Sequence, residues 1–166
     1  MPLRSGRRSE DMGMGQYVKG GYLWMSGTNK MAVGATSVLK VTMSVAPAQP
    51  KAITIIGVSL YADSEVFTDI HINPTTNLPT TAKRVDNAIL GLPYTGVCTF
   101  KADMSAAASP LSGGTITGVS FAVGEATGGG HDSPSSIIIQ PGYVIGFNTV
   151  TTGATNIMMN VSWVEV

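Results

Sequence analysis

The sequence predicts an all-β protein, an antiparallel β-sandwich or jelly roll of about eight to nine strands with a flexible N-terminal arm. Three observations predict it. Short runs rich in β-branched and aromatic residues recur along the chain, separated by clusters of Gly, Pro, Asn, Ser and Thr. Apolar and polar residues alternate with period two in several of these runs, the mark of antiparallel strands packed on one side. No window sustains the period of an amphipathic helix of ordinary length.

Residues 1–18, "MPLRSGRRSEDMGMGQYV", carry neither period and read as the arm; residues 19–166 read as one β-sandwich domain. Nine strand-like runs follow. "GGYLWM" (20–25) opens the domain, and "ATSVLKVTMSV" (35–45) has Leu39, Val41, Met43 and Val45 on one face against Val38, Lys40, Thr42 and Ser44. "KAITIIGVSLYA" (51–62), "VFTDIHIN" (66–73), "GVCTFKA" (96–102) and "TITGVSFAV" (115–123) come next. "SIIIQ" (136–140) and "YVIGFNTV" (143–150) are joined by Pro141-Gly142, which reads as a strand-to-strand corner, since proline lacks a ladder donor and glycine accepts positive φ. Ile137 and Ile139 face one way and Ile138 the other, so this strand is expected to be covered on both sides, by core and by a neighbouring layer or subunit.

"NIMMNVSWVEV" (156–166) closes the chain, with Ile157, Met159, Val161, Trp163 and Glu165 alternating against Met158, Asn160, Ser162, Val164 and Val166. "KADMSAAASPLS" (101–112) has room for one short helical turn before Pro110. The long segment 73–96 is the exception to short connections, and such segments are functional or interfacial more often than not.

Composition narrows the function. At 166 residues the chain suits one domain with a real core. Charged residues make up only 12%, against about 25% in ordinary soluble domains. The surface must therefore be Ser, Thr, Asn and Gly, or be partly hidden against other subunits. Nine methionines point the same way, because Met recurs at adaptable contact surfaces. Zero formal net charge argues against a nucleic acid as main partner and against anionic-membrane binding. No apolar run reaches the length of a bilayer-spanning helix, and one cysteine, Cys98, excludes an internal disulfide. A reducing cytoplasm is the expected site of assembly.

No residue constellation for catalysis, cofactor or metal is expected. His71 shares a face with Phe67, Asp69 and Asn73, which would let Asp69 orient the imidazole, but the plainer reading is the solvent face of an edge strand. His131-Asp132 in "GGGHDSP" reads as a loop pair, and Gly128 to Gly130 as a turning tip with no phosphate-loop context. Cys98 reads as a small buried hydrophobe, for no neighbouring base would activate it. Trp24, Tyr17, Tyr22, Tyr61, Tyr94, Tyr143 and Trp163 are scattered, as core and interface aromatics are.

The stretches "NPTTNLP", "RVDNAILG", "TFKADMSAAASPLSGGTITG" and "SIIIQPGYVIGFNTVTTGATNIMMNVSWVEV" resemble small virion proteins of tailed bacteriophages, of the head-decoration or cement type with a jelly-roll-like domain. The resemblance covers roughly residues 66–166 and consists of turn-and-strand order: a "PG" corner, a strand, a small polar turn and a last strand ending near "W-x-E". It implies a non-enzymatic structural protein on the capsid surface, partnered by the major capsid protein and by its own copies as a homotrimer. It also implies an arm that orders on contact with neighbours. The contact surface expected on that basis comprises Arg4, Arg7, Arg8 and Tyr17 of the arm, Pro74, Leu78 and Pro79 of the long segment, and Trp163 and Glu165 of the last strand. The alternative is a tail-associated host-receptor or glycan-binding β-module, read through residues 124–134 and exposed aromatics.

Overall fold

The computed structural model describes residues 22–35, 37–88, 95–106, 109–123, 137–151 and 153–166, and among them the protein is all-β with no helix. Eleven strands form two antiparallel sheets: β1 (Leu23–Gly27), β2 (Met31–Val33), β3 (Ser37–Val45), β4 (Ile53–Ala62), β5 (Val66–Ile72), β6 (Val85–Asn87), β7 (Cys98–Ala106), β8 (Thr115–Val123), β9 (Ile137–Ile139), β10 (Val144–Thr151) and β11 (Thr155–Glu165). The first sheet has the order β6-β1-β11-β4-β9 with β2 also on β11; the second has the order β7-β3-β10-β5-β8.

That order is a jelly roll. The chain runs out through β1, β3, β4 and β5 and returns through β8, β9, β10 and β11, each outgoing strand pairing with its returning partner: β1 with β11, β3 with β10, β4 with β9 and β5 with β8. Successive pairs alternate between the sheets, so the nested hairpin is rolled up. The cross-pairs β11–β4 and β10–β5 then complete each sheet. Strands β6 and β7 are inserted between β5 and β8 and extend one edge of each sheet.

The corner at Pro141-Gly142 carries the chain from β9 in the first sheet to β10 in the second. Gly142 has φ +87, Tyr143 N–H donates to Gln140 O at 3.1 Å, and Gly142 N–H donates to Val45 O at 2.8 Å. This is a turn whose third residue needs positive φ, with proline setting the second.

Apolar faces from both sheets meet in one core. Leu39, Val41, Met43, Ile70, Phe100 and Phe147 come from the second sheet; Ile53, Ile55, Leu60, Ile157, Met159 and Trp163 come from the first. All nine runs read from the sequence form strands. The two that the sequence did not announce, β2 and β6, have three residues each, too few to show a period. β2 continues β1 along β11 after an interruption at Thr28, whose N–H donates to Met159 O at 2.9 Å while its Oγ1 accepts from Met159 N–H at 3.0 Å. A hydroxyl there stands in for a ladder carbonyl.

One expectation is corrected in 101–112. Residues 101–106 continue β7, because Phe100, Ala102 and Met104 keep pace with the core-facing residues of β3 (Met43, Val41 and Leu39), and no helical turn forms among the described residues.

Candidate functional site: a strapped face and a bare face

The long segment expected to reach a neighbour covers its own sheet. Residues 73–82 cross the outer face of the second sheet from the end of β5 to the free edge of β7, and residues 109–114 return across it to β8. The two crossings are joined where Thr75 and Thr76 N–H donate to Ser112 O at 2.9 and 3.1 Å and Asn77 Nδ2 donates to Pro110 O at 2.9 Å. Asn73 starts the strap by exchanging hydrogen bonds with Val144: its N–H donates to Val144 O at 2.7 Å and its Oδ1 accepts from Val144 N–H at 2.8 Å. In the middle, Leu111 N–H donates to Asn148 Oδ1 at 3.2 Å. Leu111 and Pro74 occupy the space above Gly146, where a side chain would otherwise stand.

Asp103 fastens the far end. Its Oδ2 accepts from Thr80 N–H at 2.5 Å and from Thr80 Oγ1 at 3.0 Å, and its Oδ1 accepts from Thr81 N–H at 3.2 Å. Burial alone would raise the Asp103 pKa, but the hydrogen bonds from Thr81 and Thr80 outweigh it and hold the carboxyl down to about 2. A depressed carboxylate adds stability above its ordinary pKa of 3.8 and loses it as pH falls towards 2. Asp103→Ala is expected to cost about 1 kcal/mol at neutral pH, given a partly exposed site. In urea unfolding compared at pH 7 and pH 2, the deficit should shrink at the lower pH; a deficit equal at both would refute the ionised clamp.

The strap explains burial that the sequence did not suggest. Lys40 and Thr42, expected on a polar open face of β3, are buried, as are Asn148 and His71. β5 is an inner strand between β10 and β8, so the solvent-edge reading of His71 does not hold. Phe67 on the same face is exposed, whereas His71 lies beside Pro74 and Leu111 around the bare backbone of Gly146, and its Nδ1 meets no partner in the described structure. The Asp69–His71 orientation that would mark a catalytic pair is not made.

The expected contact residues separate into three groups. Arg4, Arg7, Arg8 and Tyr17 lie outside the described residues, as do residues 1–18 entirely, Tyr94, His131, Asp132 and the 124–134 segment. Leu78 is exposed on the strap. Pro74 and Pro79 are buried under their own chain. Trp163 and Glu165 are buried as well, at 0% and 6% exposure, because they continue the core-facing row of Ile157, Met159 and Val161 on β11. These four have little surface of their own to offer another subunit.

Glu165 has an internal task instead. Its Oε1 accepts from Val97 N–H at 2.7 Å, tying the segment before β7 to the last strand of the opposite sheet. Burial raises its pKa; the Val97 hydrogen bond and the positive charge of Lys51 oppose the shift. Cys98, in the same corner, is pushed up to about 12 by burial, partly opposed by a backbone hydrogen bond with Ser44, and so keeps its proton and stays inert.

A polar group that the sequence did not reveal lies at the far end of β4. The Tyr61 hydroxyl donates to Asp63 Oδ1 and Asn156 Nδ2 to Asp63 Oδ2, both at 2.5 Å, while Asp63 N–H and Ser64 N–H each donate to Thr155 Oγ1 at 2.9 Å. These bonds, Tyr61's first, hold the Asp63 carboxyl below its ordinary value. The carboxylate, Thr155 and Asn156 line an open dip of about 450 Å³ with Gly34 and Ala154. Asp63 and Asn156 are 93 residues apart, so no local pattern could have joined them.

Among the described residues no segment crosses the outer face of the first sheet as the strap crosses the second. Met25 on β1 is 43% exposed and Ile138 on β9 is 56% exposed, with Ser59 and Asn160 exposed between them. Of the two covers foreseen for Ile138, the described residues leave it without one on its outer side. Among the described residues no group of three or more His, Cys, Asp or Glu is placed to hold a metal, and no helix is long and apolar enough to cross a membrane. These residues define a jelly-roll sandwich with one face crossed by its own chain. No protein-family model, curated protein or solved structure matches the chain.

Proposed function

We propose that the chain is a non-enzymatic virion structural protein that decorates and stabilises a tailed-phage capsid, acting through contacts with the major capsid protein and with its own copies. The observation that carries this is the nested jelly-roll order, the fold implied by the resemblance of residues 66–166 to phage head-decoration proteins. A charged fraction of 12% suits a protein whose surface is given over to contacts. The mechanism is area burial: each copy adds apolar and backbone contact across capsomer boundaries at about 25 cal/mol per Å², before association costs are subtracted. The protein would be made in the host cytoplasm and would end on the capsid surface.

A second reading, a tail-associated host-receptor or glycan-binding module, has one observation in its favour. The Tyr61–Asp63–Asn156 group sets an ionised carboxylate, a carboxamide and a phenol ring beside an open dip, the chemistry that reads sugar hydroxyls. Co-sedimentation separates the two. Purified protein mixed with expanded shells of its own major capsid protein should sediment with them at saturable stoichiometry. Protein that stays in the supernatant, while binding host cells or a glycan array, would overturn the capsid reading and establish the other.

A further inference from the structure

Two open wells lie along one row of β11. Asn156, Met158 and Asn160 alternate with the core-facing residues of that strand and stand opposite Asp63, Tyr61 and Ser59. One well, of about 450 Å³, is the dip beside Asp63, lined also by Thr155 and Asn156 and by the small Ala32, Gly34 and Ala154. The other, of about 430 Å³, is lined by Asn29, Lys83, Arg84, Asp86 and Asn160 around Gly27. Both have the size of a small-ligand site. Four residues of extended strand put the carboxamides of Asn156 and Asn160 about 13 Å apart. Between them lie Tyr61 and Met158, paired across β4 and β11 and half-buried.

We propose that this row binds an acidic oligosaccharide: adjacent hydroxyls of one sugar unit on Asp63 and Asn156, a carboxylate of a unit further along on Arg84 and Lys83, and the chain between them over Tyr61 and Met158. The inference rests on the glycan-binding reading above and gives it a site and a ligand class.

The first well is built to read hydroxyls. Tyr61 Oη and Asn156 Nδ2 donate to separate oxygens of Asp63 at 2.5 Å, which fixes the carboxylate while each oxygen retains a further lone pair. Side by side, those lone pairs accept from two adjacent hydroxyls. The second proton of Asn156 Nδ2 donates to one of the same hydroxyl oxygens, and bonds to an ionised acceptor are among the stronger ones. The Tyr61 ring, held at its hydroxyl by Asp63, offers a flat, rigid surface to the apolar face of a sugar ring. The second well suits a carboxylate. Arg84 Nε donates to Asp86 Oδ1 and Ser26 Oγ donates to Arg84 O, both at 2.6 Å, so the side chain and backbone of Arg84 are both held. Asp86 takes Nε and leaves the two terminal nitrogens, a planar fork that matches a carboxylate. Lys83 adds a second cation against that one acid. Gly27 makes room for the Asn160 carboxamide, since a Cβ there would collide with its Oδ1. The separation of about 13 Å exceeds the screening length of about 8 Å at physiological salt, so Asp63 repels a carboxylate seated on Arg84 only weakly.

An array of acidic and neutral oligosaccharides probed with the full chain tests this, followed by titration calorimetry on an acidic hit and its carboxyl-reduced counterpart. The parent should bind the acidic chain more tightly than the reduced one, and salt raised to about 1 M should remove the difference. Asp63→Asn should weaken both ligands at least about tenfold, through the lost charge on the acceptor. Arg84→Gln should weaken the acidic ligand about threefold and leave the reduced one unchanged. Asp63 and Arg84 are exposed, so circular dichroism of both variants should remain that of the parent. Leu78→Lys, on the strapped side, should bind like the parent. A preference for neutral chains, or acidic binding insensitive to either variant, would overturn the proposal while the glycan reading stood. No binding anywhere on the array would overturn both.

Discussion

Trp163→Ala is expected to cost about 3–5 kcal/mol of folding stability, the largest loss of any single truncation in this core. The side chain is fully buried, on the core face of β11 and directly opposite Trp24 of β1. Removing it takes a large contact area out of the sandwich and leaves a cavity that two stiff sheets close poorly. Trp163→Phe should lose distinctly less. Among the described residues the indole Nε1 is buried without a partner, so the native residue already bears the cost of an unmade hydrogen bond, and phenylalanine removes that group along with part of the area. Urea unfolding of the three proteins should rank parent, Phe, Ala. Had Trp163 been an assembly contact, its alanine variant would unfold like the parent and fail only in assembly. That outcome would contradict the burial described above.

What the sequence disclosed and what it withheld divide along the distance between interacting residues. Strand existence was legible because alternation and turn residues are local; "TITGVSFAV" and β8 coincide, and Pro141-Gly142 announced its corner. The core-facing row of β11 was also legible, since Ile157, Met159, Val161 and Trp163 share it. Glu165 in that row suggested exposure, because a carboxylate is rarely buried without a partner. Its partner, Val97 N–H, lies 68 residues away and has no sequence signature.

The strap was hidden for the same reason. The pattern of β3 reads as one-sided, with Lys40 and Thr42 wet, unless a loop from elsewhere covers them. The anchors of that loop are single polar side chains, Asn148 and Asp103, each unremarkable in its own strand. The pairings that make the jelly roll are likewise long-range. Composition did indicate a surface short of charge; among the described residues the middle strands of the first sheet turn Ser, Thr and Asn outward, while charges of the second sheet lie beside the strap.

Gly114→Ala is expected to be the most damaging substitution in the strap, at about 3 kcal/mol. Gly114 has φ +69, where a Cβ is strained, and that strain accounts for about 1 kcal/mol. The larger part is collision. A methyl group there would run into the carbonyl oxygens of Ile72 and Asn73. Neither can yield freely, because Asn73 is fixed by its paired hydrogen bonds to Val144 and Ile72 belongs to β5. The strap, rather than the strand, must move, adding an overpacking cost of about 2 kcal/mol. Gly142→Ala is the control. It has an equally positive φ of +87, but its nearest neighbour would be Pro47 Cγ at 3.7 Å, ordinary contact, so only the strain of about 1 kcal/mol applies. Hydrogen exchange locates the damage. In Gly114→Ala the amides of Thr76, Leu111 and Ser112 should lose protection while those of β4 and β11 keep theirs, and in Gly142→Ala the strap amides should be unaffected. Equal loss throughout the sandwich would mean that the strap is not a separate unit. Selective loss would leave Lys40, Asn148 and His71 open to water, and a sandwich stable in their absence would show that the strap serves as a cover and not as part of the core.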